Sequence, residues 1–138
     1  MVLLAGLFLS GCENFYAKYY DEGIKEKTIP CVSIHEDDQI LRARIVRVFT
    51  EEKIPVRDSC PYTVEVTSKF LSQCNNPQAK SIGADFDGFL RFDLKSGGKL
   101  LYRCQMDWKG EFTDRRIRDM VRRMKKDLKF SENKKGAK

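Results

Sequence analysis

The chain contains few of the residue types from which catalytic and metal sites are built. Its 138 residues include a single histidine, His35, which stands beside acidic residues at the start of a predicted helix and is expected to be a surface or capping residue. No serine lies in a nucleophile-elbow motif, no cysteine has an evident histidine partner, and no Cys-x-x-Cys pair of the kind that binds zinc is present. The sequence therefore predicts a protein that is not an enzyme and that has no cofactor and no metal site.

The apolar run at the N-terminus is too short to cross a membrane. Eleven residues precede Cys12, whereas a helix that spans a bilayer core needs about 20. A run of this length is typical of the apolar segment of a secretory signal peptide. Signal peptides also begin with positive charge, and no Lys or Arg is present in this run, so we expect the true start of the signal to lie upstream. A buried strand or helix that happens to precede a cysteine is the alternative.

The residues that end this run, Leu9-Ser10-Gly11-Cys12, resemble the lipobox of bacterial lipoprotein signal peptides. In that family the cysteine sulfur is acylated and the peptide bond before the cysteine is cut. The resemblance implies a signal peptide over residues 1–11, lipidation of Cys12, and a protein that faces the periplasm from a lipid anchor in the cell envelope. Glu13 rather than aspartate follows the cysteine, and by analogy with the family this implies the outer membrane.

The rest of the chain is predicted to divide into a tether, one domain and a tail. Residues 12–28 would be the lipidated cysteine and its tether. Four aromatic residues of this stretch have the spacing of one helical face: Phe15, Tyr16, Tyr19 and Tyr20. Their rings could lie at the membrane interface or pack on the domain as an N-terminal arm. Residues 29–130 have the length of a single domain, and residues 131–138 form a polar, basic tail that is predicted to be disordered.

Four cysteines besides Cys12 are present. They are Cys31, Cys60, Cys74 and Cys104. An even number of cysteines in a chain exported to an oxidising compartment predicts up to two disulfides. Three pairings are possible, and the spacing does not choose between them.

The pattern of apolar residues predicts the fold class. Strands are expected over Ile29–Ile34, Tyr62–Phe70, Phe86–Lys95 and Lys99–Lys109. One amphipathic helix is expected between the first two strands, and another from Thr113 to about Lys129. The order β-α-β-β-β-α predicts an α+β fold, a two-layer sandwich in which a mainly antiparallel four-stranded sheet carries both helices on one face. That face should be the one with Phe92 and Trp108.

The register of the last hairpin is also predicted. A three-residue loop, Ser96-Gly97-Gly98, would pair Lys95 with Lys99 and place Phe92 opposite Tyr102. Every apolar residue of the two strands then lies on one face. A two-residue loop would shift the pairing by one and set core residues opposite charged ones, so the longer loop is expected.

Positive charge is concentrated at the C-terminus. Residues 111–138 contain eleven Lys and Arg against five Asp and Glu. The predicted last helix presents a candidate site for an anion or an acidic partner, made of Arg115, Arg116, Arg122, Arg123, Lys125 and Lys126. The alternative is a solvated helix face that is partly neutralised by Asp114, Asp119 and Asp127. Because the chain is expected to be exported, nucleic acid is not an expected partner.

The order and length of these elements over residues 29–129 resemble two groups of envelope domains. One is the lipopolysaccharide-assembly lipoproteins, and the other is the N-terminal domain of the Tol-system periplasmic protein. Secretin pilotins, which are small lipoproteins with disulfides, are a further possibility of the same kind. The resemblance implies an accessory or assembly factor with a protein partner in the envelope. Binding of lipopolysaccharide or another anionic lipid or glycan through the basic helix is the alternative function.

Overall fold

A computed structural model describes residues 13–70 and 86–132 of the chain. The main elements are β1 (Glu13–Tyr19), β2 (Thr28–Ile29), β3 (Ser33–His35), α1 (Gln39–Glu51), β4 (Tyr62–Phe70), β5 (Gly88–Ser96), β6 (Lys99–Trp108), α2 (Asp114–Asp127) and β7 (Lys129–Phe130). A short 3-10 helix, Glu22–Glu26, lies between β1 and β2. The predicted signal peptide, Cys12, Cys74 and residues 133–138 lie outside the described residues.

The fold is α+β, as predicted, but the sheet has five strands rather than four. Its order is β1-β6-β5-β4-β3, and β2 and β7 form a separate parallel pair. The predicted first strand, Ile29–Ile34, is divided between two sheets, because Ile29 belongs to β2 and Ser33 begins β3. β3 runs parallel to β4, whereas the other neighbours in the main sheet are antiparallel. The sheet is therefore mixed.

The stretch predicted to be a tether is an edge strand of the main sheet. β1 pairs with β6 along its whole length, from Glu13 opposite Trp108 to Tyr19 opposite Tyr102. Its side chains alternate between the helix side and the open side, which is the period of a strand and not of a helix. The predicted helical turn and the free tether are thus wrong, and the alternative of an arm packed on the domain describes this segment.

The hairpin between β5 and β6 turns through two residues, not three. Ser96 pairs with Lys99, and Gly97 and Gly98 have φ angles of 59° and 81°, the left-handed region that a two-residue turn of this type needs. The register then shifts at Leu101, which is an extra residue on β6, so that Phe92 faces Cys104 and not Tyr102. This β-bulge restores the apolar face that the short loop alone would have lost. The predicted loop was wrong because a bulge was not considered.

Both helices pack on the predicted face of the sheet. The ring of Phe49 in α1 lies 5.8 Å from that of Phe92. The hydroxyl of Tyr102 donates a hydrogen bond of 2.6 Å to the Asp127 carboxylate at the end of α2. Burial, reinforced by nearby acidic groups, raises the pKa of Tyr102, so this hydroxyl stays a donor. Asp38 caps α1 by accepting from two backbone amides, as the acids at its start predict.

The structure pairs Cys31 with Cys60, one of the pairings that the sequence left open. Cys104 is a free thiol buried in the core. Burial raises the pKa of the Cys104 thiol, which therefore stays protonated and unreactive in the folded chain. Among the described cysteines there is thus one disulfide, and Cys104, which was a candidate for a second, does not take part in one.

Candidate interaction surface

Arg116, one of the six predicted anion-binding residues, is buried in the structure, with 8% of its surface exposed. Its guanidinium donates hydrogen bonds to the carbonyl oxygens of Glu111 (2.8 Å) and Lys109 (3.1 Å). It also lies 5.7 Å from the centre of the Trp108 ring. Arg116 therefore holds the loop between β6 and α2. The prediction that it binds an external anion is wrong, because backbone carbonyls of the loop take its donors.

Three more of the six residues have partners inside the domain. Arg122 donates a hydrogen bond of 2.9 Å to the carboxylate of Glu52, the residue that follows α1. Lys125 donates to the carbonyl oxygen of the same residue at 2.8 Å. Arg123 donates to Asp127, four residues further along α2, at 2.8 Å. Arg122 and Lys125 thus join α2 to the end of α1, whereas the Arg123–Asp127 pair lies within α2.

The last two residues of the set are exposed and lie far apart along α2. Arg115, in the first turn, comes within 4.0 Å of Asp119, and Lys126 lies in the last turn. Since α2 rises about 1.5 Å per residue, their Cα atoms are separated by roughly 16 Å. The structure therefore does not bring the six predicted residues together as one anion-binding cluster.

Many of the positive side chains on α1 and α2 form ion pairs with acidic residues of the other helix. Asp114, the first residue of α2, accepts from Arg44 at 2.7 Å and from Arg47 at 2.6 Å. Arg118, one turn further on, reaches Glu51 at the end of α1 at 3.2 Å. Contacts advance along both helices in the same direction, so α1 and α2 run roughly parallel. Their positive side chains mainly hold the helical layer together.

Replacement of Asp114 by asparagine is expected to lower the free energy of unfolding by about 1 kcal/mol at neutral pH, because two charge-assisted hydrogen bonds are lost. The hydrogen bond from Arg44, followed by the one from Arg47, lowers the pKa of Asp114 in the folded chain. A lowered pKa means that the stabilisation is complete above the unfolded pKa of about 3.9 and is lost as the pH falls through the folded value. Urea unfolding at several pH values measures this.

Asp119→Asn is the matched control. This carboxylate is on the same helix, but its ion pair is long, at 4.0 Å, and involves the mainly exposed Arg115, so it should be weak. The substitution should change stability by less than about 0.5 kcal/mol. A cost for Asp114→Asn that persists unchanged at pH 2 would show that the carboxylate charge is not the cause.

The sheet face opposite the helices carries the second group of charged residues. No helix or strand within residues 13–70 and 86–132 covers it. It is formed by side chains of β1, β5 and β6, together with Tyr20 after β1, and we call it the open sheet face: Tyr16, Lys18, Tyr20, Phe89, Arg91, Asp93, Arg103, Gln105 and Asp107.

The centre of the open sheet face is a buried and fully paired polar network. Arg103 donates two hydrogen bonds, of 2.6 and 3.1 Å, to the two carboxylate oxygens of Asp93 directly across the strands. Arg91 donates to the Gln105 side chain at 3.0 Å, and Gln105 in turn donates to Asp107 at 2.9 Å. Asp93 and Gln105 are buried although no described element lies above them. The side chains of this network are therefore held by hydrogen bonds to one another.

Two tyrosines lie at the rim of this network. Tyr16 is 46% exposed and Tyr20 is 43% exposed. The Tyr20 ring has the ammonium group of Lys18 4.8 Å from its centre and the guanidinium of Arg103 5.6 Å away. Burial, followed by the charge of Asp107, raises the pKa of Tyr16, so its hydroxyl is a hydrogen-bond donor at neutral pH. Two large amphipathic rings thus lie beside paired charges, and the Tyr20 ring contacts two cations.

The open sheet face was missed at the level of sequence. The predicted tether included Tyr16 and Tyr20, and no role was predicted for the polar residues of β5 and β6. The sequence does show polar residues at alternate positions of both strands, Arg91 and Asp93 on β5 and Arg103 and Gln105 on β6. Which of them lie opposite one another depends on the bulge at Leu101.

The clefts found among the described residues are small. Two clefts of about 200 and 250 Å³ lie beside Leu101 and beside Leu128, and both are smaller than the roughly 300–1,000 Å³ of typical ligand pockets. Within the described ranges no three acidic, histidine or cysteine side chains converge as a metal site would require. Neither described helix is long and apolar enough to cross a bilayer.

Comparison with known proteins adds a distant likeness. No known family model and no curated protein matches the chain. A crystal structure of a PDZ domain protein from Parabacteroides distasonis is similar over 82% of this chain, with a TM-score of 0.48 and 11% identity. The match covers 36% of that protein, so the chain spans little more than a third of its length.

Proposed function

We propose that this chain is a non-catalytic lipoprotein of the cell envelope that acts as an accessory or assembly factor and binds a protein partner through the open sheet face. The observation that carries the proposal is a pair of half-exposed tyrosines on the open sheet face, which no described element covers. Tyr20 lies against the guanidinium of Arg103, which is paired with Asp93, and Tyr16 lies opposite Gln105 on the neighbouring strand. Tyrosine and arginine are the residues most enriched where protein interfaces gain their binding energy.

The order already present in this face supports a protein partner. Binding costs free energy for every side chain that must be immobilised. Here Arg91, Arg103 and Gln105 are held by hydrogen bonds before any partner arrives. The polar groups are also satisfied, so a partner can cover them without breaking a buried pair. The face thus combines anchoring rings with a low cost of ordering.

The proposed compartment rests on two further features. The resemblance of residues 9–12 to a lipobox supports an anchor at Cys12, one residue before β1. The Cys31–Cys60 disulfide fits an oxidising compartment, where such bonds form and persist. Attachment to the outer membrane, facing the periplasm, is the location that the proposal takes from this resemblance.

The test is capture of a partner by the full acylated protein, extracted from membranes in mild detergent, at low and high salt. A protein that co-purifies in a fixed ratio is identified, and its affinity is measured for a Tyr16→Ala, Tyr20→Ala double variant. Loss of two interface tyrosines is expected to weaken binding at least about tenfold. Ile40→Ala, which removes an exposed apolar side chain from the helical layer, is the matched control and should leave affinity unchanged.

Two results would contradict the proposal. Unchanged affinity of the double variant would place the interface elsewhere. If only lipopolysaccharide or anionic lipid co-purifies and salt removes it, the positive side chains of α2 are the functional surface, and the anion-binding alternative replaces the accessory factor.

A further inference from the structure

The geometry points to a membrane-contacting end of the domain: we infer that the end of the sheet where β1 begins and β4 ends rests on the bilayer that holds the anchor, with Phe70 in contact with lipid. The partner of this surface is the lipid bilayer itself. The inference rests on the proposed lipidation of Cys12 and adds the orientation of the domain to it.

Four residues on neighbouring strands form a row across one end of the sheet. Phe70 pairs with Gly88, Gly88 with Trp108, and Trp108 with Glu13, so these four residues cross the sheet at one end. Neighbouring strands lie about 4.8 Å apart, which puts Glu13 roughly 14 Å from Phe70. Since Cys12 is the next residue, an acyl chain on its sulfur would enter the bilayer beside this row.

The pairing of β1 from its first residue also removes freedom. A tether over residues 12–28 would have allowed the domain to move away from the membrane and to rotate. Instead Glu13 is already part of the sheet, so about one residue of chain separates the anchor from the domain. The opposite end, at Gly97 and Gly98, lies about eight or nine residues along the strands, which is roughly 30 Å away. Only one end of the sheet can therefore contact the bilayer.

That end carries an aromatic cluster with one exposed ring. Phe70 is 51% exposed, and its ring lies 5.7 Å from Trp108 and 5.2 Å from Phe112. Aromatic side chains are favoured where a membrane surface meets water. The cluster is backed by the core, because Trp108 is buried behind Phe70. A half-exposed ring on a rigid base beside a lipid anchor is suited to insertion among headgroups.

Positive and negative side chains are mixed at this end, so we expect apolar contact to contribute more to bilayer binding than electrostatic attraction does. Lys69, Lys109 and Arg115 are exposed near the row. Glu111 is an exposed acid at this end, and Asp87 accepts a hydrogen bond from the Gly110 amide at 2.7 Å. The set has no large excess of either sign. Contact with the bilayer should therefore depend little on salt and little on the fraction of anionic lipid.

A label at position 70 tests the inference. The full acylated chain, with Cys74→Ser and Phe70→Cys, is labelled with nitrobenzoxadiazole and reconstituted into vesicles of phosphatidylethanolamine, with or without phosphatidylglycerol. The emission should shift to the blue and gain intensity in both kinds of vesicle and at low and high salt. A label at Lys109→Cys, which keeps Phe70, should show the same change. A label at Lys99→Cys, at the hairpin end, should not.

Three other outcomes would contradict the inference, and each identifies a different cause. If mass spectrometry shows acyl chains on Cys12 but the labels at 70 and 109 do not shift, the anchor stands and the orientation is wrong. If Cys12 carries no lipid in cell envelopes, the anchoring proposal itself fails. A shift at 70 that appears without vesicles and grows with protein concentration would mean that a second copy of the chain covers the cluster.

Discussion

Loss of the Cys31–Cys60 disulfide is expected to lower the free energy of unfolding by about 3.5 kcal/mol, the value that the chain-entropy model gives for a loop of this size. The two cysteines are 29 residues apart, and the loop between them contains β3 and α1. Cys31 precedes β3, a strand of three residues at the edge of the sheet. Because so short a strand makes few ladder hydrogen bonds, the cross-link should matter most there.

The measurement is urea unfolding of the parent chain and of a Cys31→Ala, Cys60→Ala double variant, each with and without reductant. Reductant should move the midpoint of the parent toward that of the variant and leave the variant unchanged. Cys104 gives an internal check, because its buried thiol should be alkylated only after unfolding. An unchanged midpoint of the parent in reductant, or a peptide map that links Cys31 to another cysteine, would contradict the pairing.

Replacement of Gly88 by alanine is expected to cost about 3 kcal/mol, the second large effect. A Cβ atom at this position would lie 2.6 Å from Cζ2 of Trp108 and 2.7 Å from the carbonyl oxygen of Lys69. One of these neighbours is backbone of the adjacent strand, and the other is a ring packed in the core, so neither can move aside cheaply. The loss should appear in thermal and urea unfolding, with a change in near-ultraviolet circular dichroism from Trp108.

Gly23→Ala is the matched control for this substitution. Its new Cβ would meet only Oδ1 of the Asp21 side chain, at 3.2 Å, and alanine restricts the unfolded chain more than glycine does. Stability should therefore change by no more than about 0.5 kcal/mol in either direction. Equal effects at positions 23 and 88 would mean that the close approach of Trp108 to Gly88 is not what matters.

Local patterns predicted the elements of the core well. β4 has the predicted bounds, Tyr62–Phe70, and α2 occupies Asp114–Asp127 within the predicted range from Thr113. In both cases the apolar period is unambiguous, two residues for the strand and 3.6 for the helix. Phe92 and Trp108 lie on the face that the helices cover, as their alternation indicated.

The N-terminal segment has an aromatic pattern that fits both a helix and a strand. The aromatic residues between Phe15 and Tyr20 fit one turn of a helix, and they also fit a strand in which Phe15 and Tyr19 face inward and Tyr16 and Tyr20 face outward. The strand with which this segment pairs, β6, lies far away in the sequence, so the local pattern alone cannot choose between helix and strand. Only β6, which supplies an edge with unpaired amides and carbonyls next to it, makes the strand the lower free-energy state.

The sequence by itself determined the α+β composition, the buried stripes of both helices and the concentration of positive charge in α2, because each depends on residues close together along the chain. Tertiary structure decided which cysteines pair, which acidic residues form ion pairs with the arginines of α2, and which face of the sheet the described helices leave uncovered. Arg116 shows the difference most clearly: its place on a basic helix suggested an external anion, yet the carbonyl groups of Glu111 and Lys109 bind it. Such contacts depend on distances in space, which the order of residues does not contain.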